Sequence, residues 1–169
     1  AEDVTRLADC PHYPWPQHAR ETVRLGKTLS APDFSIRAPA GANAARAREL
    51  GVVANQAPTR ALSFELPVTE GRVQATGEVC QIALVERHRA TGGVTNGFVS
   101  VFGYQVSMAI ASTVAHDSHH MIVVGTDRDL MAAAANRLGE VGGGVTVWKD
   151  GAEIALVELP IAGLMSDLS

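Results

Sequence analysis

Six consecutive residues, Ala115-His116-Asp117-Ser118-His119-His120, set three imidazoles, a carboxylate and a hydroxyl between two apolar runs. Solubility alone does not ask for such a cluster there. If the backbone turns at this point, the side chains converge on a compact site. If it stays extended, His116 and His120 share one face while Asp117 and His119 take the other. His116, His119 and His120, with Asp117, are ligand types that a divalent metal accepts, but their spacing matches no zinc signature. The other readings are a substrate-facing cluster and a turn. In a turn, Asp117 and Ser118 hydrogen-bond to the backbone while the histidines cap strand ends or face solvent. The residues alone leave all three open.

A second constellation, Glu86-Arg87-His88, follows an apolar run and precedes Thr91-Gly92-Gly93. It combines an anion, a fork-shaped cation and a titratable imidazole where side chains often face a cleft. Such a trio suits the polar edge of a heterocycle. An ion pair between Glu86 and a basic neighbour accounts for it equally well.

Two other readings fall on chemical grounds. Gly142-Gly143-Gly144 follows a helical pattern, whereas phosphate cradles sit at helix N-termini, where N–H groups and the dipole favour anions. Those glycines are read as caps. Ser112 and Ser118 lie near histidines, but neither stands in the Gly-x-Ser-x-Gly elbow of a nucleophilic hydrolase.

The elements that would position these residues are mostly strands. Apolar runs at Leu50–Asn55, Thr59–Leu66, Val68–Gln74, Ile82–Glu86, Phe98–Phe102, Ala109–Ala115 and Met121–Val124 read as strands, with a turn signal at Glu70-Gly71. Thr126 or Asp127 caps the clearest helix, spanning residues 127–141, with Leu130, Ala134, Leu138 and Val141 on one face. Val145–Trp148 and Glu153–Leu159 form a hairpin across Lys149-Asp150-Gly151, because Asp-Gly supplies the positive φ of a tight turn. A short helix is expected within His18–Leu25, loops over Ala38–Ala45, and a packed tail from Pro160 onward. Runs that do not alternate strictly between strand and helix predict an α+β fold with a mixed, largely antiparallel sheet.

Cys-Pro-His-Tyr-Pro-Trp-Pro, residues 10–16, packs three prolines that stiffen the chain. Residues 1–26 are read as a proline-rich linker or docking arm and residues 27–169 as the domain. The opening on Ala1 fits methionine removal or a cut within a longer polypeptide.

The 169 residues are 46% apolar and 19% charged with net charge −4, which suits one globular unit. Dispersed Lys and Arg, outnumbered by Asp and Glu, give no stripe to neutralise phosphates, so no nucleic-acid partner is expected. No apolar run approaches the roughly 20 residues of a membrane span. Two distant cysteines, Cys10 and Cys80, suggest neither a disulfide framework nor a thiolate metal site, and a reducing cytoplasm is expected.

Three ordered motifs then carry a resemblance. Val85-Glu86-Arg87-His88 is the first. The second is Ile110-Ala111-Ser112-Thr113-Val114-Ala115-His116-Asp117-Ser118-His119, followed by Ile122-Val123-Val124-Gly125-Thr126. The third is the ending Leu159-Pro160-Ile161-Ala162-Gly163-Leu164-Met165-Ser166-Asp167-Leu168. Together they resemble the C-terminal region of bacterial adenine deaminases. Looser similarity extends through Asn136-Arg137-Leu138 and the Lys149-Asp150-Gly151 turn, and back through Glu65-Leu66-Pro67-Val68 to Thr22-Val23-Arg24. The chain departs from the family pattern at Arg89, where a second His is common, and at His120, where Asn is common.

The resemblance implies an amidohydrolase-group enzyme that converts adenine and water to hypoxanthine and ammonia with a two-metal centre, manganese or iron, inside a TIM barrel. That barrel's ligand set opens with His-x-His, which occurs nowhere in these 169 residues. No metal or other cofactor is therefore expected in this chain, and the isolated chain is expected to be inactive. The partners implied are the barrel of the same parent chain and an adenine-like small molecule, with homo-oligomerisation left open. Glu86, Arg87, His88, His116, Asp117, Ser118, His119 and His120 become candidates to face the barrel's substrate cleft. The alternative is a non-enzymatic module that binds a purine or another partner.

Overall fold

The structure, a computed structural model, describes residues 13–100, 106–115 and 117–167. A short helix α1 (Gln17–Arg20) and a 3-10 turn (Ala31–Phe34) precede β1 (Ala44–Gly51), β2 (Arg60–Thr69), β3 (Arg72–Val73), β4 (Val79–Val85) and β5 (Val94–Ser100). Then come β6 (Met108–Ser112), β7 (Met121–Gly125), α2 (Arg128–Val141), β8 (Gly144–Lys149) and β9 (Ala152–Glu158). The strands form one nine-stranded sheet in the order β3-β2-β1-β5-β4-β7-β6-β8-β9. All neighbours are antiparallel except β1 and β5, which run parallel with Glu49 beside Phe98. The α+β architecture with a mixed, largely antiparallel sheet is the one expected from the sequence.

The main helix forms where its periodicity places it. Asp127 is the N-cap, its carboxylate accepting from the Asp129 and Leu130 amides. Leu130, Met131, Ala134, Ala135 and Leu138 recur at the helical period and are buried against Ala83, Val85, Ala109, Ala111, Met121 and Val123 of the central strands. Each large side chain in that layer contributes about 1.5–3 kcal/mol relative to exposure. Gly142 ends the helix in the left-handed region at φ 80°, donating to the Leu138 carbonyl. Gly144 does more than cap. A Cβ there would stand 2.1 Å from the Val157 carbonyl oxygen, so the first residue of β8 has room for nothing larger.

Several boundaries differ from those read in the sequence. The expected loop over Ala38–Ala45 gives way to β1 at Ala44, and the run at Leu50–Asn55 contributes only its first two residues to that strand. The helix expected within His18–Leu25 stops at Arg20, and the Arg24 amide instead donates to the Arg87 carbonyl. Strand β5 begins at Val94, four residues before the apolar run that signalled it. Its Asn96 hides it from a hydrophobic reading, yet that side chain donates to the Asp33 carbonyl and accepts from Gln81, which also donates to the Phe34 carbonyl. These amides fasten the 3-10 turn to the sheet.

Residues 17–25 lie against the body rather than away from it. Val23 and Leu25 pack on the main core, the Ala162 amide donates to the Ala19 carbonyl, and Arg20 pairs with Asp167.

Among the described residues, one buried charged side chain has no compensation. Glu49 is 3% exposed on β1, and neither carboxylate oxygen has a hydrogen-bond partner. A carboxylate taken out of water without partners is destabilising, and replacement by an apolar side chain of similar size relieves that cost. Glu49→Met is therefore expected to raise the chain's stability by about 1–2 kcal/mol, read as a higher denaturation midpoint. A lower midpoint would mean that the carboxylate holds the sheet together.

Candidate functional site

The antiparallel register of β4 with β7 pairs Val85 with Met121, so the residues after one strand end lie beside those before the other. Glu86-Arg87-His88 and the 117–120 turn are brought together by that pairing alone. The C-terminal turn at 161–165, closed by a bridge between Ile161 and Met165, completes the region. His116 lies outside the described residues.

Arg87 is the centre of this region and is 1% exposed. Its Nε donates to the His119 carbonyl at 2.7 Å and its Nη1 to the Ala162 carbonyl at 3.3 Å. Among the described residues no carboxylate pairs with it, so burial pushes the guanidinium below its ordinary pKa. One side chain thus joins the end of β4, the histidine turn and the C-terminal turn. Thr113, fully buried, works beside it. Its hydroxyl donates to the Gly163 carbonyl at 2.6 Å and accepts from the Gly144 amide at 2.7 Å. Thr113, Ala162 and Gly163 escaped the sequence reading as parts of this region. The only hint was a threonine inside an apolar run whose partners are glycines far away in the chain.

Glu86 organises its own loop. One carboxylate oxygen accepts from the His88 and Arg89 amides, and the other from the Thr91 amide and hydroxyl. Burial works to raise its pKa, but these four donors outweigh it and hold the group at about 2. The carboxylate is anionic and its bonds are committed to the backbone, so it does not serve as a general base in this arrangement.

The described imidazoles of the loop and the turn lie close together. His88 and His120 face each other with ring centroids 5.1 Å apart and planes tilted by 46°. Burial, then the Arg87 charge and His120, lower the His88 pKa, against the opposing His119 backbone and Glu86. A neutral imidazole both donates and accepts, which suits the edge of a nitrogen heterocycle. The Nδ1 of His120 is buried with no partner. His119 adopts φ 54°, its amide donating to the Ala115 carbonyl at 2.7 Å while its ring is exposed. Asp117 and Ser118 line a depression of about 350 Å³ with Leu84, Val114, Ala115 and Ile122. The Ser118 hydroxyl accepts from the His120 amide at 3.2 Å, as the turn reading expects. The described residues contain no group of three His, Cys, Asp or Glu side chains placed to hold a metal.

Comparison with known proteins adds what geometry does not. The family model described as the adenine deaminase C-terminal domain matches residues 56–169. An adenine deaminase of Roseobacter denitrificans is 74% identical over 167 residues, covering 99% of this chain but 28% of its own length. One from Paracoccus denitrificans is 65% identical, again over 99% of this chain and 28% of its own. A more distant relative, from Moorella thermoacetica, is 41% identical over 95% of this chain and 27% of its own. The chain therefore spans little more than a quarter of the curated relatives it matches.

Two outcomes follow from the loop chemistry. Arg87→Lys keeps the charge but loses the planar fork that reaches two carbonyls at once, so it is expected to cost about 2 kcal/mol in a denaturant titration. Glu86 contributes stability above its ordinary value of 4.5 and loses it as the pH falls through about 2. The thermal midpoints of wild type and Glu86→Gln should differ at neutral pH and converge between those two values. A gap that persists unchanged down to pH 2 would show that the four donors do not hold this carboxylate.

Proposed function

The chain belongs to the adenine deaminase C-terminal domain family, and from that premise we propose that it is the C-terminal part of a cytoplasmic enzyme that hydrolyses adenine to hypoxanthine and ammonia. The family match over residues 56–169, joined to 74% identity with an adenine deaminase, carries the reading. The remaining length of those relatives leaves room for a catalytic TIM barrel in the same polypeptide.

The two-metal centre that the reading implies, manganese or iron, does not fit this chain. The sequence has no His-x-His, and the described side chains of its histidine turn do not form a ligand set. Activation of water belongs to the barrel. What this chain offers is a preorganised edge. Arg87 and Glu86 fix the backbone, and the fixed backbone presents His88, His119 and His120, with Asp117 and Ser118, toward the barrel's substrate cleft. The imidazoles there complete the polar lining around an adenine-like base and help exclude water when the cleft is covered.

Two measurements test the reading. The purified 169-residue chain, supplied with manganese or iron, should release no hypoxanthine from adenine, whereas the parent polypeptide should. In the parent, His119→Asn, which tolerates a left-handed backbone, should lower kcat/KM about tenfold while leaving the melting temperature nearly unchanged. Unchanged kinetics with a lower melting temperature would assign His119 to folding alone.

A further inference from the structure

The sheet has two apolar faces and the described helices cover one of them. Strand β4 buries Ala83 and Val85 under α2 and turns Ile82 and Leu84 the other way. In β7 the same alternation turns Ile122 away from the helix, and in β6 Ile110. Strand β8 adds Val145 and Val147, opposite Val157 and Ala155 of β9. On the face opposite α2, Cys80, Val99 and Val124 are buried with Val52 and Ile82, and beside that cluster Leu84, Ile110, Ile122, Val145 and Val147 form a partly exposed apolar surface, interrupted by Thr95 and Ser112, that no described helix covers. An antiparallel sheet with one solvated face alternates apolar and polar residues, and strands apolar on both sides are the mark of a sheet buried on both sides. The 3-10 turn and α2 both pack on the helix side. Leu50, Val114 and Val157 stand 46%, 48% and 58% exposed.

This surface is grooved. A depression of about 490 Å³ lined by Arg48, Leu50, Ala61, Ser63 and Gly97 meets a second, of about 310 Å³, through Leu50 and Gly97. The second meets the depression at Asp117 and Ser118 through Leu84 and Ile122. The trough runs from β2 to the histidine turn. At its far end Arg46 and Arg48 are exposed and form no ion pair among the described residues.

We propose that this trough is the docking surface for the remainder of the parent polypeptide, which lays an apolar patch along Leu50, Leu84, Ile122 and Val114 and sets carboxylates against Arg46 and Arg48. The inference rests on the adenine deaminase reading and names the surface that reading leaves open. Two observations choose this occupant over a second copy of the chain. Close relatives carry more than two thirds of their length outside the matched region, enough to supply a covering domain in cis. The trough also ends on the histidine turn, so whatever fills it is carried directly to the candidate site. A second copy would have to meet the exposed Arg46 and Arg48 with its own copies of the same arginines if the contact were two-fold symmetric about that end.

The test uses the full parent polypeptide. Leu50→Cys and Val114→Cys are compared with Glu140→Cys on α2, whose side chain is 67% exposed, with the wild-type protein as background. The trough positions should react with a small maleimide about tenfold more slowly than the helix position. A thiol-anchored cross-linker at Val114→Cys, in a mixture of isotopically heavy and light chains, should join residues of one chain. Reaction as fast as at Glu140→Cys, or adducts that always mix heavy with light, overturns the proposal. Adenine turnover is assayed on the same samples. Protection without turnover would sink the functional reading and leave the docking surface standing, and turnover without protection would do the reverse.

Discussion

A guanidinium buried without an acid is a demanding thing to place in a small domain. Among the described residues its charge meets only backbone oxygens, so those oxygens must be where it needs them. Arg87 meets that demand with carbonyls from two distant segments, at His119 and Ala162. Three pieces of chain that share no secondary structure are thereby held in one arrangement. The arrangement is also short of space. A Cβ on Gly163 would come within 2.8 Å of the Arg87 Nη1. Glycine in the C-terminal turn and arginine after β4 are thus one requirement seen from two places.

Around that anchor the charged residues divide their work in a way their types do not announce. Glu86 and Arg87 look like a reactive pair in the sequence, and each spends its hydrogen bonds on the backbone, with the Thr91 hydroxyl as the one side-chain partner of Glu86. The histidines look like ligands, and their described rings are left to face one another or solvent. Polar residues that hold a loop still leave the less conspicuous groups to present its chemistry. The same division appears at the other end of the sheet, where Arg128 donates to the Val73 carbonyl and to Gln74 and Gln81 rather than to an acid.

Much of the architecture was legible because it followed from local rules. The main helix announced itself by periodicity and an Asp cap, and the last hairpin by Asp150-Gly151, where both residues take positive φ. The strand boundaries near Gln81 and Asn96 were not legible, since these amides read as polar interruptions until their cross-sheet bonds are seen. Nor was the parallel pairing of β1 with β5, which no local signal encodes. Within the candidate site, residue types were visible and their roles were not. That Arg87 points inward depends on partners distant in the chain, and that Glu86 closes a ring of four donors and His119 adopts a left-handed backbone depends on local loop torsions. The partly exposed second face was written in the sequence too, as apolar residues at most positions of β4 and β7, but those runs predicted only strands until the structure placed α2 on one side of them.

The parallel contact between β1 and β5 bears on how the chain assembles. Glu49 must find Phe98, and nothing between them forms a crossover helix to guide the approach. By contrast, β6, β7, α2, β8 and β9 connect through short loops and pack on one another, a set of local contacts that closes quickly. Order of synthesis and order of assembly therefore run opposite ways: the strands made first wait for partners made later. Until β5 is in place, the β1–β2 hairpin has one edge open, and the alanines, arginines and single glycine of β1 are poor material for wrong pairing along it.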